Sequence, residues 1–240
     1  MKKYKIVVYF LCLISLLACT NEKQQSEEVK EVMIQENSEN VKDSSIVAID
    51  SAIIKGKLYQ AMFKKDEFFY VLKEQDTIMK KAELSPFFQF EDFDEDGNQD
   101  IGFVCTSCSG VNEYYFFDST KNEFIYLANN KLYQELKKID KNYYYSYSKA
   151  GCADMDWISF LVEIKNFHAI PHARIYGQGC KVKAEPDLET KIEIFNLSKQ
   201  DSIKGKLYET LPIGLIEKYE NHKWGFIKEY WSNNYEKFVK

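Results

Sequence analysis

Asp92, Asp94, Asp96 and Asp100 crowd four carboxylates into a short stretch, with Gly97 and Asn98 among them. Counted from Asp92, the acids stand at positions 1, 3, 5 and 9 of a calcium-binding loop and the glycine stands at position 6. A hard divalent cation takes about six to eight oxygens at roughly 2.3–2.6 Å, and alternate residues of a tight loop turn their oxygens inward. Gly97 permits the sharp turn, after which Asn98 offers its backbone carbonyl. Four like charges this close repel one another unless a cation sits among them, and an all-oxygen donor set selects calcium over zinc or copper. The expected cofactor is therefore calcium, with Asp92, Asp94, Asp96, Asn98 and Asp100 as ligands. Position 12 is Phe103 instead of a glutamate, and residues 101–104 read as a strand. The site should lack one carboxylate, sit in a β context and tie one strand to the next, with an affinity in the roughly 10⁻⁴–10⁻³ M class of extracellular modules.

The cysteines and histidines offer less. Cys105 and Cys108 have CxxC spacing, but the motif leaves a strand and enters Ser109-Gly110, whereas a low-pKa redox thiol needs a helix N-terminus. A four-cysteine zinc site with Cys152 and Cys180 is an alternative that lacks a second CxxC pair. Disulfides are the expected state. The segments Trp157–Ile164 and Ala173–Tyr176 should form a hairpin turning near Asn166, and Cys152 and Cys180 lie 14 residues either side of that turn. Opposite each other across an antiparallel pair, they fall within bridging distance. Cys105 and Cys108 would then pair locally. His168 and His172 have i, i+4 spacing that would suit a metal on a helix, but Pro171 and the strand context remove that option. Asp154 and Asp156 alternate and could share one face of a strand as a carboxylate pair, although turn acids are the more frequent outcome. No phosphate loop, nucleophile elbow or HExxH motif is present, so no catalytic residue is assigned and an enzyme is not expected.

These residues must be held by strands. Aromatics make up 15% of the chain and Gly and Pro are scarce, a balance that favours pleated sheet. Ile53–Met62, Phe68–Leu72, Phe87–Phe90, Ile101–Val104, Tyr114–Phe117, Phe124–Leu127, Tyr143–Tyr147, Trp157–Ile164, Ala173–Tyr176 and Ile192–Leu197 follow one another with turn-rich segments between. Regular short strands predict a mainly β body with antiparallel sheets. The hexapeptide Ile-Lys-Gly-Lys-Leu-Tyr occurs at 54–59 and again at 203–208, through either two equivalent strands or coincidence. Near the end, Trp224, Ile227, Trp231, Tyr235 and Phe238 are spaced for one face of a helix, with Asn221 placed to cap it. That predicts an amphipathic helix over 222–239, docked on the sheet.

Phe90-x-Asp92-Phe93-Asp94-x-Asp96-Gly97-x-x-Asp100-Ile101 resembles the calcium loop of FG-GAP/VCBS-type repeats, which build β-propellers. The loop 105–110, Asn112-Glu113-Tyr114-Tyr115-Phe116-Phe117-Asp118 and Phe124-Ile125-Tyr126-Leu127 extend the likeness to a group of small exported proteins. That group includes periplasmic immunity proteins that inhibit peptidoglycan-degrading enzymes. The resemblance covers about residues 85–180 and implies a propeller-like calcium-binding core there.

The compartment is read from the N-terminus. Lys2, Lys3 and Lys5 precede an apolar run from Ile6 to Leu17, too short for the roughly 20 residues of a membrane-spanning helix. Leu16-Leu17-Ala18-Cys19 resembles the bacterial lipobox, which implies cleavage after residue 18 and acylation (palmitate-type chains) of Cys19. Residues 19–45 are polar and charged, as expected of a flexible tether, so the body is expected over 46–240. Removing residues 1–18 takes three lysines and no acids, leaving 29 basic against 37 acidic residues and a net charge of −8. Such a surface repels phosphate backbones and excludes nucleic acid as a partner. The expected protein is a lipid-anchored binder of the cell envelope, on the outer membrane, since Thr20 is not a retention aspartate. Its partner would be a peptidoglycan-degrading enzyme that it neutralises or, alternatively, a glycan or the cell wall itself. The aromatic run Tyr143-Tyr144-Tyr145 could serve either kind of binding.

Overall fold

Antiparallel pairing accounts for all three sheets of the computed structural model, which describes residues 45–105, 110–180, 190–198 and 201–239. The signal segment, Cys19, the tether and Cys108 lie outside these residues. Sheet 1 is a meander of β1 (Ile46–Ile54), β2 (Lys57–Lys64), β3 (Phe68–Lys73) and β4 (Asp76–Ala82). Sheet 2 repeats the pattern with β5 (Phe88–Glu91), β6 (Asp100–Cys105), β7 (Gly110–Asp118) and β8 (Glu123–Tyr126). Sheet 3 has the strands β15 (Asp201–Pro212), β14 (Lys191–Ser198), β13 (His168–Gln178), β12 (Asp156–Lys165), β10 (Tyr143–Tyr145) and β9 (Lys137–Asp140) side by side, with β11 (Ser148–Gly151) also paired to β12.

Period-2 alternation explains how the sheets stack. In β7, Tyr115 and Phe117 join Ile101, Phe103, Tyr59 and Phe69 in the core between sheets 1 and 2. Their neighbours Tyr114 and Phe116 point the other way, into a second core with Tyr144, Phe160 and Val162 of sheet 3. Sheet 2 is therefore buried on both faces, and β7 reads as a near-continuous apolar run. The far face of sheet 3 places Trp157, Leu161, Ile175 and Ile194 under the helix α1 (Lys223–Asn234). Among the described residues each core joins adjacent layers, and none joins sheet 1 to sheet 3.

Two expectations are corrected, and the open alternative for the hexapeptide is decided. The segment Ile53–Met62 is two strands, because Lys55 and Gly56 both take positive φ (50° and 74°) and turn the chain back as a two-residue hairpin. In the second copy of the hexapeptide, Lys204-Gly205 instead lies inside β15, with Gly205 at φ 69° where the pairing with β14 is irregular, so the copies are not equivalent strands. The terminal helix is shorter than expected and continues as a 3₁₀ turn at Tyr235–Lys237. Its first residue follows His222, not Asn221, and its buried residues are Phe226, Ile227 and Trp231, while Trp224 is 47% exposed. The Trp231 indole donates to the Ser159 hydroxyl at 2.8 Å, a buried polar pair that fixes the helix on β12.

Candidate metal centre

The acidic segment is the connection from β5 to β6, the first turn of sheet 2. Glu91 pairs with Asp100 at the end of this hairpin, so the strands bring the two ends of the loop together. Inside it, backbone amides bind the acids in turn. Asp92 accepts from the Asp96 amide at 3.0 Å and the Gly97 amide at 3.0 Å, and Asp94 accepts from the Asp96 amide at 3.1 Å. Gly97 has φ 90°, and an added Cβ would meet nothing within 4 Å; the glycine is required by backbone conformation, not by space. Gly102 is the opposite case. A Cβ there would lie 2.5 Å from the Phe93 ring, so its absence lets Phe93 fold under the loop against Tyr114.

Asp92, Asp94 and Asp100 converge, with carboxylate oxygens within 4.8 Å of one another. Asp96 is turned away onto Asn98, accepting from its amide at 2.8 Å and its side-chain nitrogen at 2.9 Å. Of the five expected ligands, three therefore form a cluster, while Asp96 and Asn98 hold each other at its rim. Phe103, at the twelfth position of the loop, is buried in the core between sheets 1 and 2.

Asp100 is the most constrained of these groups. It is 1% exposed, and its two oxygens accept from the Phe117 amide at 2.8 Å and the Phe93 amide at 3.0 Å. Burial nonetheless pushes its carboxyl up to about 8, against the pull of those amides and with added repulsion from Asp94. Asp94 is pushed up to about 6, by burial first and by the charge of Asp96 next. A carboxylate held neutral by burial ionises readily once a cation arrives, and three oxygen donors suit a hard divalent ion such as calcium. In that case Asp92, Asp94 and Asp100 would hold the ion, and its charge would balance theirs.

Two residues of sheet 3 complete the surroundings, and neither was visible in the sequence as part of the loop. Lys138 of β9 donates its ammonium to the Asp94 carbonyl oxygen. Tyr144 of β10 is buried, and its hydroxyl is raised by burial and then by the charges of Asp94 and Asp100. The acidic loop thus lies where sheet 2 meets sheet 3. The central member of the tyrosine run belongs to this core instead of an open binding face.

The other sequence candidates take structural roles. Cys152 and Cys180 form a disulfide with Cα atoms 5.9 Å apart, so neither sulfur is available to zinc. The hairpin turns at Asn166-Phe167, both at positive φ, but Cys152 lies in a 3₁₀ turn ahead of β12 and not in the ladder. Asp156 caps the bridge by accepting from the Gly179 and Cys180 amides at 2.9 and 3.0 Å. Asp154 instead pairs with Lys223 at 2.7 Å and accepts from the Tyr147 hydroxyl, so the two acids do not act as a pair. Cys105 is also disulfide-bonded. His172 contacts Glu163 at 3.0 Å, and His168 contacts the Asn166 carbonyl at 2.8 Å, apart from any metal cluster among the described residues.

No family model matches the chain, and no curated protein matches it. A solved structure described as a Xanthomonas type IV secretion system related protein is similar at a TM-score of 0.43 and 13% identity, covering 67% of this chain and 92% of that one.

Proposed function

We propose that this chain is a lipid-anchored protein of the cell envelope, held on the outer membrane through Cys19, that works by binding and not by catalysis. In this reading the body is propeller-like, with sheets 1 and 2 as successive four-stranded blades, and calcium at Asp92, Asp94 and Asp100 braces sheet 2 against sheet 3. Asp96 and Asn98 complete the shell when the ion is bound. The partner is a protein, and the activity is neutralisation of a peptidoglycan-degrading enzyme.

The observation that carries a protein-binding role is the outer face of sheet 1. The face of β1 turned away from the core presents Val47, Ile49 and Ile53, continued by Leu58 on β2. Ile53 is 73% exposed. An antiparallel sheet that meets water on one face is normally polar there, and an apolar patch of neighbouring side chains marks an interaction surface.

The test is a capture experiment with the whole chain on envelope extract, in calcium and in chelator. A peptidoglycan hydrolase should be recovered in calcium, its lytic activity suppressed, and Ile49→Asp/Ile53→Asp should abolish both effects. Recovery of wall glycan without any hydrolase would overturn the inhibitor reading.

A further inference from the structure

A second site lies away from the acidic loop and is independent of the calcium and inhibitor readings. A cleft of about 1220 Å³ opens between the connection 127–136, β13, β14 and the end of the chain. The connection is fixed there by the backbone: the Ala128 amide donates to the Phe167 carbonyl at 2.9 Å, and the Ala169 amide donates to the Ala128 carbonyl at 2.9 Å. The connection is therefore anchored to β13, and the cleft is a built junction of these elements.

Its chemistry runs against that of the molecule. Acids outnumber bases in the chain, 37 to 32, yet among the described residues no aspartate or glutamate lines the cleft. Lys131 stands on one wall and Lys237 on another, both exposed. Lys237 donates to the neutral Asn234 side chain at 2.6 Å, so that contact leaves its charge uncompensated. The nearby carboxylate of Glu163 is turned onto His172. Asn129 and Asn196 also line the cleft, with amides that both donate and accept, and Tyr126 contributes an aromatic ring.

We propose that this cleft binds a carboxylate-bearing oligosaccharide. The ammonium groups would meet carboxylates, the planar amides would meet pairs of hydroxyls, and the tyrosine ring would support an apolar sugar face. Typical ligand pockets span about 300–1,000 Å³, so this volume suits several rings better than a single small anion.

The experiment titrates the whole chain with trigalacturonate and, as a neutral control of the same ring number, maltotriose, following heat release at low ionic strength. Trigalacturonate should bind with a sub-millimolar constant that weakens about tenfold or more when roughly 0.5 M salt screens the lysines, and maltotriose should bind at least about tenfold more weakly. The exchange Lys131→Glu/Lys237→Glu should abolish binding while leaving the melting temperature unchanged. Should that double exchange not fold, Lys131→Gln alone should weaken binding severalfold. No heat with trigalacturonate, equal binding of maltotriose, or unchanged binding by the folded lysine variants would each overturn the proposal.

Discussion

Raising the pH of chelated protein should destabilise it, and calcium should restore part of that loss. In the metal-free fold the carboxyl of Asp100 stands at about 8, against 3.8 in the unfolded chain. The folded state therefore binds the extra proton between those values, and stability falls as pH rises through the window. At about 1.4 kcal/mol per pH unit, the full shift corresponds to about 6 kcal/mol surrendered by the time the group is ionised. About 4 kcal/mol of that falls between about pH 5 and about pH 8.5, which for a body of this size is a melting temperature roughly 8–16 °C lower at the alkaline end in EDTA. Asp94, at about 6, adds to the slope in the same direction. Calcium binds the ionised loop, so about 10 mM of the ion at a dissociation constant of roughly 10⁻⁴–10⁻³ M returns about 1.4–2.7 kcal/mol. That amounts to a rise of about 3–11 °C at alkaline pH, shrinking toward zero near pH 5 as protons displace the metal. Melting followed by near-ultraviolet circular dichroism measures both curves. Coincident melts in calcium and EDTA at alkaline pH would refute the reasoning, as would a gap that stays constant down to pH 5.

Asp100→Asn keeps the shape but offers one acceptor where the amides of Phe93 and Phe117 need two; it should flatten the pH dependence, abolish the calcium response and cost about 1–3 kcal/mol at acidic pH in a urea melt. Gly102→Ala forces a methyl group into the Phe93 ring and should cost about 1–3 kcal/mol while weakening calcium binding, read by melts with and without the ion. Cys152→Ser/Cys180→Ser opens a bridge with a sequence separation of 28 and should cost about 3–4 kcal/mol in the chain-entropy estimate, a loss that reductant should reproduce in the parent protein. Ser159→Ala leaves the buried Trp231 indole N–H without its acceptor and should cost about 1–3 kcal/mol by the same melt, whereas Trp224→Ala, at a half-exposed position, should cost far less.

The strands legible in the sequence are those whose residues enter a core. Phe68–Leu72, Tyr114–Phe117 and Trp157–Ile164 carry aromatic and branched side chains because two layers meet on them. The strands that went unread contribute hydrogen bonds more than burial. β4, with the sequence DTIMKKA, is exposed at nearly every position, and β9 is a short edge strand of sheet 3. Lys55-Gly56 was hidden because a two-residue turn interrupts an otherwise apolar run without a proline or an acidic cluster to announce it. At the loop, spacing alone indicated Asp92, Asp94 and Asp100, since their convergence is local. Lys138 and Tyr144 arrive from sheet 3, tens of residues later, and no local pattern encodes that meeting.

The doubly covered middle sheet has a consequence for the order in which the molecule is made. Sheets 1 and 2 emerge first during synthesis and can zip together as neighbouring meanders. Until residues 144–197 follow, however, Tyr114 and Phe116 lack the cover of Tyr144, Phe160, Val162, Ala169 and Leu197 and have only Phe93, Val111 and the connection 127–136 beside them. The half-made chain therefore carries a naked aromatic flank, a natural docking point for holding factors and a hazard for self-association. Truncations that end before β12 should accordingly be recovered as aggregates, not as a smaller folded unit.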